Sequence, residues 1–217
     1  WIPKNYLKAK KPSGTDGIEV ANALNESNRS LYELTFSLAK LDAGHRLLEI
    51  GFGNGRHFPN YFDLEPELTL TGIDFSADMC EEARRLNTQL IDSGRLSVHC
   101  TDTTALPFDT ASFDCAVAVN VIYFMDPPDL HLSEIHRVLK PGGLFIVGYR
   151  PKHTVEHLPF TRQNFRLYEP EELTSLLHQY GFQKVQEEHR NQCKQAIDGT
   201  DVEVIDACLV VRKSIEH

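Results

Sequence analysis

Residues 47–55 read Leu-Leu-Glu-Ile-Gly-Phe-Gly-Asn-Gly, and this stretch carries the strongest indication of the fold. Its apolar part belongs to a short run, residues 45–50, with the composition of a buried strand, and three glycines follow at alternate positions. Because glycine lacks a Cβ atom, such a loop lets the backbone approach a ligand closely, and a following helix offers unpaired N–H groups. The stretch is typical of the first strand and the ligand-binding loop of an open α/β sheet.

Strands and helices alternate along the rest of the chain. Amphipathic helical patterns begin near Ser76, Pro128 and Pro170, and Ser76 suits the cap of its helix. Apolar strand-like runs separate and follow them, at residues 68–73, 96–101, 114–120, 144–149, 182–189 and 204–212. The Lys-Pro-Gly-Gly at residues 140–143 indicates a turn. The pattern predicts an α/β fold with a doubly wound, mostly parallel sheet covered by helices on both faces.

The N-terminal part of the chain has two different patterns. Residues 1–17 are rich in Lys, Pro and Gly without any period, which predicts a mobile arm. A helix is predicted over residues 20–41, because five leucines share one of its faces: Leu24, Leu31, Leu34, Leu38 and Leu41. Residues 18–217 are expected to form a single domain.

Composition and charge argue against several classes of function. The 217 residues contain 22 Lys and Arg against 31 Asp and Glu, and this net charge of −9 disfavours nucleic acid as a partner. The longest apolar stretch, residues 115–125, is far shorter than the ~20 residues that a membrane span needs. No basic-then-apolar signal peptide opens the sequence.

The cysteines indicate a reducing environment. They form no C-x-x-C pair, and full pairing would leave one over: Cys80, Cys100, Cys115, Cys193 and Cys208. Free thiols and a cytoplasmic location are therefore expected rather than disulfides or a zinc site. No histidine pair at helical spacing suggests another metal.

Acidic residues stand at the ends of three predicted strands, where a ligand would bind. Asp74 follows Gly55 by 19 residues, a distance at which an acidic residue can accept both hydroxyls of a ribose. The alternative for Asp74 is a helix cap. Asp102 and Glu49 are two further carboxylates at strand ends. Such an anionic site suits a nucleoside that carries positive charge rather than a pyrophosphate.

Four stretches in this order resemble the motifs of class I S-adenosylmethionine-dependent methyltransferases. They are residues 47–55, residues 71–76 (Thr-Gly-Ile-Asp-Phe-Ser), residues 101–114 (Thr-Asp-Thr-Thr-Ala-Leu-Pro-Phe-Asp-Thr-Ala-Ser-Phe-Asp) and residues 137–145 (Arg-Val-Leu-Lys-Pro-Gly-Gly-Leu-Phe). The chain is most similar to the small-molecule branch that includes ubiquinone/menaquinone-biosynthesis-like enzymes. The resemblance implies S-adenosyl-L-methionine as cofactor, in-line methyl transfer to a small-molecule acceptor, and a seven-stranded sheet whose last strand is antiparallel.

The resemblance also implies roles for individual residues. Glu49 would support the ammonium of the cofactor, Asp74 would accept the ribose hydroxyls, and Phe75 would form a wall against the adenine. Asp102 would face the adenine amine, and Asn120 would lie near the ammonium and the methyl group. The full set implied to bind the cofactor is Glu49, Gly51, Phe52, Gly53, Asn54, Gly55, Asp74, Phe75, Asp102, Thr103 and Asn120.

The catalytic residues and the acceptor are less well defined by the sequence. Tyr123, and after it His153 and His157, are candidates for a general base, with aromatic packing or surface exposure as the alternatives. Residues 120–123 lack both prolines of the N-P-P-Y motif of amino-group methyltransferases, so transfer to nitrogen has no support. The acceptor is expected to be determined by residues 150–168 and by the N-terminal arm.

Two other functions remain as alternatives. One is a module that binds S-adenosylmethionine without catalysis. The other is a nicotinamide-dependent oxidoreductase, which the glycine spacing disfavours because Arg56 stands where a dinucleotide fingerprint has its third glycine.

Overall fold

The computed structural model describes residues 14–158, 161, 166–195 and 201–215. Its strands are β1 (Arg46–Ile50), β2 (Thr69–Asp74), β3 (Leu96–Cys100), β4 (Phe113–Val119), β5 (Leu139–Tyr149), β6 (Phe182–Gln195) and β7 (Asp201–Lys213). Its helices are α1 (Gly14–Leu38), α2 (Phe58–Leu64), α3 (Ala77–Leu86), α4 (Thr88–Asp92), α5 (Pro128–Val138), α6 (Lys152–Val155) and α7 (Pro170–Gln179), with a 3₁₀ turn at Ile122–Phe124. Of the helices in these residues, none combines the length and the apolarity that a membrane span requires.

The strands form one sheet in the order β3-β2-β1-β4-β5-β7-β6. β1 pairs in parallel with β2 and β4, and β5 continues the parallel sheet beside β4. β7 runs antiparallel to both β5 and β6. The predicted doubly wound, mostly parallel sheet and its antiparallel last strand are therefore confirmed. The strand order reverses between β1 and β4, which opens a crevice at the carboxyl ends of these strands.

Helices cover both faces of the sheet because successive residues of each buried strand point to opposite sides. In β1, Leu47 packs into the layer that contains Leu34 of α1. Its neighbour Leu48 packs into the opposite layer, with Ile135 of α5 and Leu177 of α7. All five side chains are fully buried.

Several observed element boundaries differ from the predicted ones. α1 begins at Gly14, so residues 14–17 of the predicted arm belong to this helix, and residues 1–13 lie outside the described residues. The predicted turn at residues 140–143 lies within β5, where the register with β4 shifts between Phe113 and Cys115. β5 therefore begins at Leu139, which pairs with Phe113 directly after α5 ends at Val138.

The helix predicted to begin near Ser76 is divided into α3 and α4 at Asn87. The side-chain amide of Asn87 is buried and donates to the carbonyl oxygens of Gly55, at 3.0 Å, and Ala83, at 2.9 Å. Asn87 therefore connects the end of α3 to the glycine loop, because one side chain satisfies a carbonyl of each.

α1 lies close to β5 because the strand has a glycine at the point of contact. A Cβ atom at Gly148 would lie 2.7 Å from Oγ1 of Thr35 and 3.3 Å from Cγ of Leu31. Oγ1 of Thr35 is itself held in place, since it donates to the carbonyl oxygen of Leu31 at 2.8 Å. Gly148 thus determines how near the helix approaches the sheet.

We expect Gly148→Ala to lower the free energy of unfolding by about 1–3 kcal/mol, because the added methyl group overpacks the contact with α1. In a Thr35→Ala background the same substitution should cost less, since the nearest atom has been removed. Urea unfolding of the four proteins of this double-mutant cycle measures the coupling. An equal cost in both backgrounds would show that α1 does not press on Gly148.

Candidate functional site

A cavity of about 310 Å³ opens at the carboxyl ends of β1, β2 and β4. Ten of the twelve residues that the sequence predicted as site residues line it: Gly51, Phe52, Gly53, Asn54, Asp74, Phe75, Asp102, Thr103, Asn120 and Tyr123. The other two, Glu49 and Gly55, do not line this cavity. The predicted residues therefore converge on the crevice that opens where the strand order reverses, between β1 and β4.

The glycine loop needs its glycines for two different reasons. Gly51, Gly53 and Gly55 all have positive φ, between 61° and 68°, a region that side chains disfavour. A Cβ atom at Gly55 would lie 2.5 Å from the Phe58 ring and 2.9 Å from Ala83, so this glycine permits close packing behind the loop. A Cβ atom at Gly53 would meet nothing within 4 Å and would enter the cavity.

Asp74 ends β2 at the cavity wall and is nearly buried. Its Oδ2 accepts the N–H of Gly53 at 3.1 Å, and its Oδ1 accepts the N–H of Ser76 at 2.8 Å. Burial, with a smaller contribution from the nearby Glu49, raises the pKa of Asp74 to about 6, against the lowering effect of backbone hydrogen bonds from Ser76, Gly53 and Phe75.

Asp74 also takes part in the start of α3. Ser76 is the N-cap residue of α3, yet its side chain makes no capping hydrogen bond, so the predicted Ser76 cap was wrong in this respect. The bond from the Ser76 N–H to Asp74 contributes to this turn instead. The helix-cap alternative for Asp74 is thus partly correct, and it accounts for only one of the two bonds.

The loop after β3 contacts a histidine that the sequence analysis missed. Nδ1 of His131, in α5, is hydrogen-bonded to the hydroxyl of Thr103 and lies 3.9 Å from Oδ1 of Asp102. His131 is nearly buried and lines the cavity. The available signal was its helical spacing of four and seven residues from Ile135 and Val138, which makes it a polar residue on the inward face of α5.

Glu49 lies behind the glycine loop, buried in a cluster of polar side chains. Its Oε1 lies 2.5 Å from Nε2 of His57 and accepts the hydroxyl of Tyr32 at 3.2 Å. Burial and Glu49 raise the pKa of Tyr32 well above its ordinary value. Tyr32 lines the cavity, so the hydrogen bond from its hydroxyl connects Glu49 to the cavity wall. A direct contact between Glu49 and a ligand ammonium stays a prediction.

Tyr123 lines the cavity, but its hydroxyl is engaged by the backbone of Arg150. The hydroxyl donates to the Arg150 carbonyl oxygen at 3.3 Å and accepts the Arg150 N–H. Burial also raises the pKa of Tyr123 to about 12. Both observations oppose a role as general base, because a base must be ionised and available to a proton near the operating pH.

The histidines suggested as further bases lie elsewhere. His153 and His157 line a second cavity, beside β6 and β7, and do not line the cavity of the glycine loop. Nδ1 of His153 also lies 2.6 Å from Oε2 of Glu169, so it forms an ion pair when protonated. Their position therefore does not support His153 or His157 as the general base of the glycine-loop cavity.

One stripe of α1 forms a wall that the sequence analysis did not identify. Residues spaced three or four apart share one face of a helix, and this spacing was the signal for the wall. The stronger leucine pattern of the same helix obscured it. The residues that line the cavity at this spacing are Ala21, Leu24, Asn25, Asn28 and Tyr32. Asn25 also donates to Oδ1 of Asn54 at 2.9 Å, which connects the stripe to the glycine loop.

A buried ion pair stands at the opposite end of the cavity. Arg150 follows β5, and its Nε donates to Oδ1 of Asp206 in β7 at 2.9 Å. Its Nη2 donates to the carbonyl oxygen of Ser27 at 2.8 Å, and its Nη1 to Oδ1 of Asn28 at 3.1 Å. Residues 150–168 contribute Arg150, Val155, Thr161 and Leu167 to the cavity lining, and the role of this segment in determining the acceptor stays a prediction.

Comparisons with known proteins point to one family. A family model described as "Methyltransferase domain" matches residues 48–147. The O-methyltransferase resE of Aspergillus sclerotiorum is 31% identical, over 63% of this chain and 49% of that protein. A fatty-acid O-methyltransferase of Mycolicibacterium smegmatis is 28% identical, over 70% of this chain and 54% of that protein. The chain spans about half the length of the curated relatives it matches.

Solved structures share the fold. YcgJ of Bacillus subtilis has a TM-score of 0.68 at 18% identity, with 87% of this chain and 100% of that chain covered. The [4+2]-cyclase SpnF has a TM-score of 0.71 at 23% identity, with 86% of this chain and 81% of that chain covered.

The loop glycines provide a matched pair for a test. Gly53→Ala and Gly55→Ala introduce the same methyl group at similar positive φ, so both should lose about 1 kcal/mol of stability through backbone strain. Gly55→Ala should lose about 1–3 kcal/mol more, because its Cβ overlaps Phe58 and Ala83. Gly53→Ala should instead weaken binding of S-adenosylhomocysteine.

Thermal melts and calorimetry separate the two effects. Equal stability loss in both variants, or unchanged ligand affinity in Gly53→Ala, would contradict the roles assigned to these glycines.

The sequence motifs, the sheet order and the comparisons agree with one another. The matched family model covers the glycine loop and extends into β5. The seven-stranded sheet and the antiparallel β7 are those that the sequence resemblance implied. Residues 48–147 thus match the methyltransferase-domain family, in the part of the chain that carries the motifs resembling class I S-adenosylmethionine-dependent methyltransferases.

Proposed function

We propose that this protein transfers a methyl group from S-adenosyl-L-methionine to a small-molecule acceptor. The observation that carries the proposal is the convergence of the glycine loop, Asp74 and Asp102 on one cavity. Relatives named O-methyltransferases, one of them specific for fatty acids by its name, support a small-molecule acceptor and favour oxygen as the methylated atom.

The cavity wall is consistent with the polar groups of this cofactor. The Asp74 carboxylate accepts backbone N–H groups of Gly53, Ser76 and Phe75, and a carboxylate has about four acceptor positions, so it can also accept a ribose hydroxyl. The open space at Gly53 leaves room for a ligand against the loop backbone. On the far side of β2, Asp102 presents a half-exposed carboxylate that suits an amine such as that of adenine.

We assign the remaining cofactor contacts by position in the cavity. The methionine half would lie against the glycine loop and Asn120, whose φ of 61° turns the chain at the end of β4. The adenine would lie between the partly exposed Phe75 ring and Thr103. Asn54 would support the loop from behind, since it is buried and bonded to α1.

When bound, the cofactor supplies an activated methyl group on a sulfonium. The protein has to align the acceptor with that methyl group and to exclude water. The stripe of α1 covers the cavity and would exclude water. Tyr123, held by the Arg150 backbone, provides a rigid wall that would align the acceptor. We therefore propose Tyr123 as a positioning residue rather than as a base.

Finer assignments are also proposals. Membership of the ubiquinone/menaquinone-biosynthesis-like branch is supported by the sequence motifs alone. A cytoplasmic location is supported by five free cysteines, of which Cys80, Cys115 and Cys208 are buried. The exclusion of nucleic acid as a partner is supported by the net charge of −9.

A role other than methyl transfer is suggested by one protein that shares the fold. SpnF, which shares the fold, is described as a [4+2]-cyclase, so this architecture also accommodates other reactions. A protein that binds the cofactor without methyl transfer remains the second candidate, and turnover distinguishes it from the first.

Binding of the cofactor should depend on the ionisation of Asp74. Because the pKa of Asp74 is raised to about 6, the carboxylate becomes protonated as the pH falls through 6 and loses the acceptors that the ribose needs. We expect S-adenosylhomocysteine to bind about tenfold more weakly at pH 5 than at pH 8, by calorimetry.

Asp74→Asn provides the control for this pH dependence. This variant should bind more weakly at pH 8 and show a flatter profile, since it has no carboxylate to titrate. A profile as steep as that of the wild type in folded Asp74→Asn would assign the pH dependence to another group.

Activity is tested by incubating the full chain with methyl-labelled S-adenosylmethionine and fractionated metabolite extracts, with quinol probes added to one arm for the ubiquinone-like branch. We expect a labelled small-molecule product with the wild type and at least tenfold less with Asp74→Ala, which removes about 1.5–3 kcal/mol of binding per lost hydrogen bond to the carboxylate. Binding of S-adenosylhomocysteine without any labelled product would favour the non-catalytic alternative.

A further inference from the structure

Two cysteines flank the turn after β2 that carries Asp74 and Phe75. Cys80 lies in α3, and its Sγ is 3.3 Å from the carbonyl oxygen of Asp74. Cys100 ends β3, and its Sγ is 3.9 Å from the carbonyl oxygen of Phe75. Both sulfur atoms therefore contact the backbone of one dipeptide, and both residues of that dipeptide line the cavity.

The alternation of side chains along β3 places Cys100 on the face of the sheet that α3 covers. Leu96 and Val98 of β3 pack into the layer that contains Cys80, and side chains two positions apart share a face of a strand. Cys100 follows at the next such position. Sγ of Cys80 also lies 3.7 Å from the carbonyl oxygen of His99, directly before Cys100. The two thiols are therefore neighbours.

The two thiols differ in exposure and therefore in reactivity. Cys100 is exposed, whereas Cys80 is buried. Burial, with a smaller effect of the Cys100 thiol, raises the pKa of Cys80 to about 12, against the lowering effect of Arg84. Nη2 of Arg84 donates to the Val98 carbonyl oxygen at 2.9 Å, so this positive charge is held beside the end of β3. An oxidant therefore reaches Cys100 first, and Cys80 is placed to react with the product.

The other three cysteines, which also belong to the described residues, do not combine these two properties. Cys115 and Cys208 are near enough to interact, but both are buried. Cys193 is exposed, but it lies in β6, at the opposite edge of the sheet from β3. Cys80 and Cys100 thus form the pair in which one thiol is accessible and a second thiol lies beside it.

We propose that Cys80 and Cys100 are a redox modification site, where a hydroperoxide forms a reversible disulfide that weakens binding of the cofactor. The effect on the cofactor rests on the proposed function. In the first step the O–O bond of the hydroperoxide breaks, Cys100 becomes a sulfenic acid, and water or an alcohol leaves. In the second step the Cys80 sulfur attacks the Cys100 sulfur, and the sulfenic hydroxyl leaves as water with the thiol proton. The two thiols lose two electrons, which the hydroperoxide gains.

Oxidation acts on the cofactor site through the backbone that the cysteines contact. The disulfide removes the thiol hydrogens that face the carbonyl oxygens of Asp74 and Phe75, and it draws Cys100 toward α3. Thr101 and Asp102, which line the cavity, follow Cys100 directly, and the Thr101 N–H donates to the Asp74 carbonyl oxygen at 3.0 Å. Both carboxylates proposed to bind the cofactor are thus attached to backbone that the disulfide would move.

The first measurement is the mass of the full chain after treatment with hydrogen peroxide at low protein concentration. We expect a monomer that has lost two hydrogen atoms, a cross-link between Cys80 and Cys100 in the peptide map, and recovery of the original mass with dithiothreitol. Cys100→Ser should not form the cross-link. Cys193→Ser is the matched control, because it removes an exposed thiol at the opposite edge of the sheet and should leave the cross-link unchanged. Absence of the cross-link in the wild type overturns the proposal.

The second measurement is the affinity for S-adenosylhomocysteine by calorimetry. The oxidised wild type should bind about tenfold more weakly than the reduced protein, the equivalent of one lost hydrogen bond, and peroxide should not change the affinity of Cys100→Ser. Because coupling between two sites is reciprocal, saturating S-adenosylhomocysteine should then raise the reduction potential of the pair by ~30 mV.

The outcomes separate this inference from the proposed function. A disulfide that leaves the affinity for S-adenosylhomocysteine within about twofold overturns the regulation and leaves the proposed function standing. Failure of the reduced protein to bind S-adenosylhomocysteine overturns both.

Discussion

The ion pair between Arg150 and Asp206 joins the helix that covers the cavity to the sheet that forms its floor. Both side chains are almost completely buried, and removing charges from water is costly unless their hydrogen bonds are satisfied. Here the guanidinium also bonds to Ser27 and Asn28 of α1. Loss of either charged partner would leave the other buried and uncompensated, at a cost of about 3–5 kcal/mol, and would release α1 from β5 and β7.

This connection gives the cavity two electrostatically different ends. The end beside β2 and β3 carries carboxylates, which suits a ligand with a cationic centre, and the end beside β5 carries a guanidinium. The residues that dock α1 on the sheet also form part of the cavity wall, so stability and the shape of the site depend on shared contacts.

The glycine loop and the strand ends could be predicted because their signals are local. Glycine spacing, an acid after an apolar strand and the helix starts all depend on short-range backbone geometry. The errors concern residues whose roles depend on distant neighbours. Tyr123 stands at the predicted wall, but the backbone of Arg150, 27 residues away, engages its hydroxyl. Glu49 ends β1 as expected, but His57 and Tyr32 hold it behind the loop.

The sequence by itself determined the class of fold, the position of the crevice at the strand ends and ten of the residues that line it. It could do so because the periods of buried strands and helices and the conformational freedom of glycine follow directly from residue type. Only the tertiary structure decided that α1 lies over the cavity, that His131 contacts Thr103, and that Arg150 is paired with Asp206 in β7. These contacts join residues far apart in the chain, and burial changes the charge and availability of each group. No local pattern contains that information, since it arises from the packing of whole elements.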